Sequence, residues 1–416
     1  MKNKRILQLF QLVALISILS SYSQRLHAQF GFSLPEGEKS IDIPFQNFNN
    51  LIVLEVTLKN KVAVNLILDT SIEHTILTEK AIGDFLNFRY ARKMKLGQNG
   101  DQVYYGHVAV DAKMSLSDSV STGDVSSMLV LETDYLNLAG LAGSKVHGLI
   151  GYDIFKSFVV EVDHTKNVLT LYKPESFSPP KSHLELPMDI IDRKPYISTE
   201  IVFESWESRK MKFILKSGAS HAVFFEDDSI EYFLPYRNLE VPIGQSFGGE
   251  LLGHIGRLRS LNIDEFALQD PLATFSKPEH IDQSGSTKKA GDGSMGQGIL
   301  SRFSVIYDFH RAKIYLRKNN SFDNLFEYDM SGISIAVSHS QDYSFSIKSL
   351  RKESPAQKSG LQVGDIIESI NGDPLTIDNY GEFLNLFLTR EGKKVTFVVK
   401  RGSEITECSY RLTRFI

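Results

Sequence analysis

Short apolar runs bounded by turn residues recur along most of the chain. LIVLEVTL (51–58), VAVNLIL (62–68), FVVEVD (158–163), RKMKFIL (209–215) and FSVIYD (303–308) are rich in Val, Ile, Leu and Phe. Runs of this length and composition predict β-strands, so the first 320 residues read as mainly β. The pattern changes near the C-terminus. SPAQKSGLQVGDIIESINGDPL (354–375) combines a short helix after Ser354-Pro355, glycine turns at Gly360 and Gly364, the strand DIIESI and a tight turn at Asn371-Gly372. YGEFLNLFL (380–388) then has apolar residues at helical spacing, and KKVTFVVKRG (393–402) alternates as a strand.

The β part contains an internal repeat. LILDTSIEHTIL (66–77) and FILKSGASHAVF (213–224) share an outline of strand, pivot residue, small and hydroxyl residues, strand, at an offset of 147. The same shift pairs Leu96–Gln98 with Ile243–Gln245 and Gly106–Ala109 with Gly253–Gly256. At an offset of 145, GLIGYDIFKSFVVEVD (148–163) meets GSMGQGILSRFSVIYD (293–308), sharing both glycines, an Ile, a Phe, a Val and the final Asp. Three matched blocks in one order imply a doubled structural unit. The period is too long for a solenoid. Two domain-sized lobes are expected, 38–176 and 183–318, joined through the Pro-bearing ESFSPPKS, with a third domain at 325–416.

Composition adds bounds. The chain has 416 residues, 42% apolar and 23% charged, with a net charge of −4 and no basic block, which gives no footing for nucleic-acid binding. Lys2, Lys4 and Arg5 precede the apolar run ILQLFQLVALISIL, and Ala28-Gln29 offers a small-residue cleavage point. Residues 1–28 therefore read as a signal peptide and the protein as exported, periplasmic or secreted. A membrane anchor is the alternative, but the run is short for a span and contains Gln8 and Gln11. Cleavage would remove four of the 46 basic residues and no acid, leaving 42 against 50 and a charge of −8. No membrane insertion is expected of the remainder. Cys408 is the only cysteine, so no internal disulfide can form, and it reads as a buried small apolar residue.

The duplicated pivot resembles the aspartic peptidases of the pepsin and retropepsin type, in which each lobe presents apolar-apolar-Asp-Thr/Ser-Gly and a later apolar-apolar-Gly packs beneath it. Lobe one offers Ile67-Leu68-Asp69-Thr70-Ser71 with Leu149-Ile150-Gly151. Lobe two offers Ile214-Leu215-Lys216-Ser217-Gly218 with Ser294-Met295-Gly296. Residues 325–416 resemble a PDZ domain, a family that adds extended segments or peptide C-termini to a sheet edge. Its carboxylate-binding loop would fall at Gly332-Ile333-Ser334, where the match is poor. Together the chain resembles the PDZ-bearing aspartyl-protease-like proteins of bacterial envelopes. The fold this implies is mainly β: two aspartic-peptidase-like β-barrel lobes followed by an α+β PDZ domain.

The resemblance implies a chemistry in which two adjacent carboxylates share one proton, one activating water while the other protonates the substrate carbonyl. Asp69 and Thr70 fill the acid and hydroxyl roles in lobe one. Ser217 fills the hydroxyl role in lobe two, but Lys216 stands in place of the second acid. An ammonium facing Asp69 is expected, and a shared-proton dyad is not. Ser71 also departs from the family's glycine, and its side chain is expected to crowd the turn. The leading expectation is a degenerate peptidase that binds extended peptide or protein segments. The alternative is an active endopeptidase that uses Asp69 with another acid, such as Glu73 or Asp227-Asp228, or in a homodimer; a neutral Lys216 serving as general base is a further variant. A third reading is a structural scaffold with the PDZ domain as its docking part. The residues do not set the oligomeric state.

The other candidates read mostly as structural. Tyr104, Tyr105 and Gly106 fit either a hairpin flap over the cleft or core packing. His107 and His254 occupy equivalent positions but lack a third ligand at metal spacing, so no metal or cofactor is expected. Asp163 and Asp308 precede tight turns, where Asp is favoured for local hydrogen bonds. QSGSTKKAGDGSMGQG (283–298) lacks the ordered pattern of a phosphate-binding loop.

Overall fold

The computed structural model describes residues 31–99, 102–124, 126–226, 233–246, 249–276, 290–339 and 343–416. The expected signal segment 1–28, Asp227-Asp228 and residues 283–289 lie outside the described residues. Four sheets account for the fold: eleven strands in lobe one, ten in lobe two, a six-stranded sheet shared by both lobes, and a six-stranded C-terminal sheet. Among the described residues no helix is long and apolar enough to cross a membrane.

The shared sheet follows the repeat. Its order is Leu184–Pro187, Lys313–Lys318, Phe303–Asp308, Val159–Asp163, Val168–Tyr172, Ser40–Pro44. At its centre Val160 pairs with Tyr307, Glu161 with Ile306 and Val162 with Val305. Each residue thus faces the copy of its partner's counterpart at the 145-residue offset, and Glu161 faces its own copy. A pseudo-twofold axis therefore runs through this pairing. The Asp at the end of each central strand does local work, as its position before a turn suggests. Asp163 accepts from Thr165 and Lys166, and buried Asp308 accepts from Arg311.

Each lobe repeats one strand crossing. Gly148–Ile150 lies parallel to Val62–Leu68 and antiparallel to Ile76–Leu77. Gly293–Met295 lies parallel to Ser208–Leu215 and antiparallel to Val223–Phe225. The opening glycine of each short strand has a steric reason. A Cβ on Gly293 would sit 2.1 Å from the Phe224 carbonyl oxygen, and one on Gly148 would sit 1.9 Å from that of Ile76. Each lobe also carries a long hairpin, Tyr90–Asn99 with Gln102–Ala109 and Asn238–Ser246 with Gly249–Arg257. One apolar core, from Phe32 to Phe326, runs through both lobes.

The C-terminal domain has the order Ile333–His339, Tyr343–Leu350, Ile366–Ile370, Lys394–Arg401, Glu404–Arg411. The Ser354 hydroxyl caps the helix Pro355–Lys358 by accepting from the Gln357 amide at 3.2 Å. Asn371 and Gly372 take positive φ in the turn after Ile366–Ile370, as the Asn-Gly pair suggests. Cys408 is buried and free.

The close strand crossings make Gly293→Ala a sharp test of this packing. We expect a loss of about 1–3 kcal/mol or more from overpacking against backbone, measured as a fall in urea midpoint with far-ultraviolet dichroism retained at low urea.

Candidate functional site

The two pivots meet at the pseudo-twofold axis. Val62–Leu68 ends at Asp69, and Ser208–Leu215 ends at Lys216. The Asp69 amide donates to the Ile150 carbonyl at 2.8 Å, and the Lys216 amide donates to the Met295 carbonyl at 2.9 Å. The next residues lock the lobes together. The Thr70 hydroxyl donates to the Leu215 carbonyl at 2.5 Å, and the Ser217 hydroxyl donates to the Leu68 carbonyl at 2.8 Å. In return the Thr70 amide donates to Ser217 Oγ at 3.0 Å and the Ser217 amide to Thr70 Oγ1 at 3.1 Å. Both side chains are fully buried. Every bond in this set has its counterpart at the 147-residue offset.

Asp69 is 8% exposed, and the Ser71 amide and hydroxyl both donate to its Oδ1 at 2.8 Å. Gly218 of lobe two lies against the same carboxyl: a Cβ there would sit 2.6 Å from Asp69 Cβ. Ser71 therefore does not crowd its own turn. Lys216 is one-third exposed, and its ammonium lies 3.6 Å from the Glu226 carboxylate of its own lobe.

The alternative acids are placed differently. Glu73 is exposed and paired with Arg193 of lobe two, whose guanidinium also lies over the Tyr152 ring at 5.6 Å. Its carboxylate is engaged there rather than at the Asp69 carboxyl. The face that a symmetry mate's Asp69 would need is filled by Lys216-Ser217-Gly218 of the same chain. Tyr104 and Tyr105 lie on the lobe-one hairpin. Tyr104 meets the Tyr135 ring edge-on at 4.8 Å, and Lys93 sits 3.9 Å over Tyr105. Gly106 pairs with Leu131, close against Leu129. Gly332, Ile333 and Ser334 open the edge strand of the C-terminal sheet.

His107 lies 3.3 Å from Glu132, which also pairs with Lys93 at 2.8 Å; His254 lies 3.0 Å from Asn238. The two histidines sit in separate hairpins, each with its own partner. Among the described residues no group of three or more His, Cys, Asp or Glu is arranged to hold a metal. Neither Asp69 nor Lys216 lines the cavities of about 400, 550 and 710 Å³, but Ser220 and His221 line the 710 Å³ one.

The sequence reading missed His221 and Glu226. His221 Nε2 lies 3.0 Å from Ser294 Oγ. Burial, aided by the Lys216 charge, pushes its pKa down to about 3. The signal was available, since the 147-residue offset that pairs His107 with His254 also pairs His74 with His221. His74, by contrast, is exposed beside Glu73.

Residues 346–401 match the PDZ domain family. The solved structure of aspartic proteinase from Irpex lacteus is 14% identical with a TM-score of 0.42, covering 68% of this chain and 100% of its own. Basic 7S globulin from soybean is 11% identical with a TM-score of 0.36, covering 70% of this chain and 99% of its own. No curated protein matches by sequence. The fold is mainly β, with a PDZ domain at the C-terminal end.

Two outcomes test the site. Thr70→Val leaves the Ser217 amide and the Leu215 carbonyl unpaired, at about 1–3 kcal/mol for each buried group. A urea double-mutant cycle with Ser217→Ala should show the two changes together costing less than their sum. His221, ordinarily near 6.5 when unfolded, stays neutral in the fold until about pH 3. Its contribution is therefore intact above pH 6.5 and is lost progressively as pH falls toward 3. His221→Gln should flatten the acid loss of stability by up to about 1.4 kcal/mol per pH unit, read from denaturation midpoints between pH 7 and 4.

Proposed function

We propose that the two lobes form a peptidase frame that engages extended polypeptide without cleaving it. One observation carries this reading: the lobes meet through a complete reciprocal grip, yet the position matching Asp69 holds Lys216, whose ammonium lies near Glu226. A single carboxylate cannot divide the base and acid roles of a shared-proton pair, and Lys216, drawn toward Glu226, supplies neither. The PDZ domain adds a second place for extended segments, since its sheet ends in the edge strand Ile333–His339. The same reading takes the chain as exported, on its basic-then-apolar start and the small-residue site before Gln29.

The geometry sharpens the test. Lys216→Asp alone should stay inactive, because Ser71 still stands in place of the glycine of the Asp-Thr/Ser-Gly turn. Lys216→Asp combined with Ser71→Gly should gain cleavage of an unstructured protein substrate between pH 3 and 7, using the chain from Gln29 onward. Wild-type cleavage abolished by Asp69→Asn would overturn the proposal and require a second acid. The gain in the double variant should vanish when Asp69→Asn is added.

A further inference from the structure

The exposed edge of the PDZ sheet is not free. The helix Tyr380–Leu386 flanks the edge strand Ile333–His339, tied to its start by the Met330 amide donating to the Phe387 carbonyl at 3.0 Å. At the far end the Tyr380 ring meets Phe345 at 5.1 Å. An added peptide would lie between this strand and this helix. Lobe one already sends a segment there, the short helix Leu138–Ala142 ending in Gly143.

Three contacts place it. Leu138–Ala142 packs against Ile333–His339. Ala139, 7% exposed, is a member of the PDZ domain's own apolar core, with Ile333, Ile335 and Leu384 packed around that core. Gly143, at φ +69°, touches the flanking helix: a Cβ there would lie 2.9 Å from both Gly381 Cα and Leu384 Cδ1. Gly381 in turn faces the Gly143 carbonyl, 3.1 Å from where its own Cβ would be. Both walls of the strip are therefore in contact with one internal segment, and small residues on both sides permit the approach.

The loop leading into the edge strand is also satisfied from within. Asp329 Oδ1 accepts from the Ser331 amide at 2.8 Å and the Ser331 hydroxyl at 2.5 Å, while the Ile333 amide donates to Ser331 Oγ at 3.2 Å. An internal carboxylate already uses donors of the loop where a peptide's terminal carboxylate would dock. A second anion there would meet Asp329.

We propose that Leu138–Gly143 is the PDZ domain's ligand in cis, and that the groove accepts an outside segment only when this one leaves. Its chemistry, Leu-Ala-Gly-Leu-Ala-Gly, marks the class that fits: internal, apolar segments of small residues rather than free C-terminal ends. The proposal rests on the PDZ part of the functional reading and is independent of whether the lobes cleave.

The probe is a fluorescent, C-terminally amidated peptide of residues 136–144, LNLAGLAGS, titrated into the chain from Gln29 onward. Two variants loosen the internal copy. Ala139→Asp places a charge in the PDZ core. Asp134→Asn weakens the anchor that accepts from the Leu136 and Leu138 amides at 3.2 and 2.7 Å, and changes no residue of the PDZ domain. We expect at least about tenfold tighter peptide binding by either folded variant than by wild type, with the Ile333–His339 amides regaining exchange protection on binding. Adding Gly381→Val, which narrows the groove, should abolish that gain. If Ala139→Asp fails to fold, Asp134→Asn decides. Equal binding by wild type and a folded variant, or no gain in Asp134→Asn, would overturn the proposal. A gain only for a peptide with a free carboxylate would overturn the ligand class. The cleavage assay scores the lobes separately, so failure of one reading leaves the other legible.

Discussion

The molecule depends on four buried hydrogen bonds between Thr70 and Ser217 and the two strand ends they face. Each hydroxyl both donates to a carbonyl across the axis and accepts from an amide across it. The Leu68 and Leu215 carbonyls sit at the buried ends of their strands and take these hydroxyls from the other lobe. An unpaired buried group costs more than a typical bond contributes, so the set is cooperative: it forms whole or not at all. The central pairing of the shared sheet then closes the same two-fold relation at a distance from the pivots. Between these two fixed points the relative placement of the lobes has little freedom left.

Much of this could be read from the chain. The 147-residue offset located both pivots, and the 145-residue offset located the crossing strands and the turn aspartates, because backbone geometry imposes those identities. Gly148 and Gly293 admit no side chain, and Thr70 and Ser217 need a hydroxyl. Such requirements are local and leave the same letters in both copies. The direction of Lys216 was not legible in the same way. Its ammonium lies near Glu226, ten residues along the chain, and no spacing rule joins that residue to position 216. The occupation of the PDZ edge was hidden for a related reason. LAGLAG has neither the length nor the periodicity to announce a helix, and its partner Gly381 lies more than two hundred residues away.

Ser71 and Gly218 show how one methylene can make two related turns unequal. In lobe two the glycine lets the Asp69 carboxyl lie against its backbone. In lobe one the serine spends its hydroxyl and amide on Asp69. Asp69 is therefore held by its own turn, with Gly218 of the other lobe close against it.

Nothing in the grip requires an acid at position 216. The backbone of Lys216 makes the bond to Met295 that Asp69 makes to Ile150, and this bond is indifferent to the side chain. What a lysine adds is a charge to be solvated. By leaning toward Glu226 with a third of its side chain exposed, it avoids the several kcal/mol that burying an ammonium on the axis would cost. The nearby imidazole of His221, bonded to Ser294, is held neutral mainly by desolvation, with the Lys216 charge adding to the effect. The structural part of position 216 is thus carried by its backbone, and its side chain is free to answer to its own solvation.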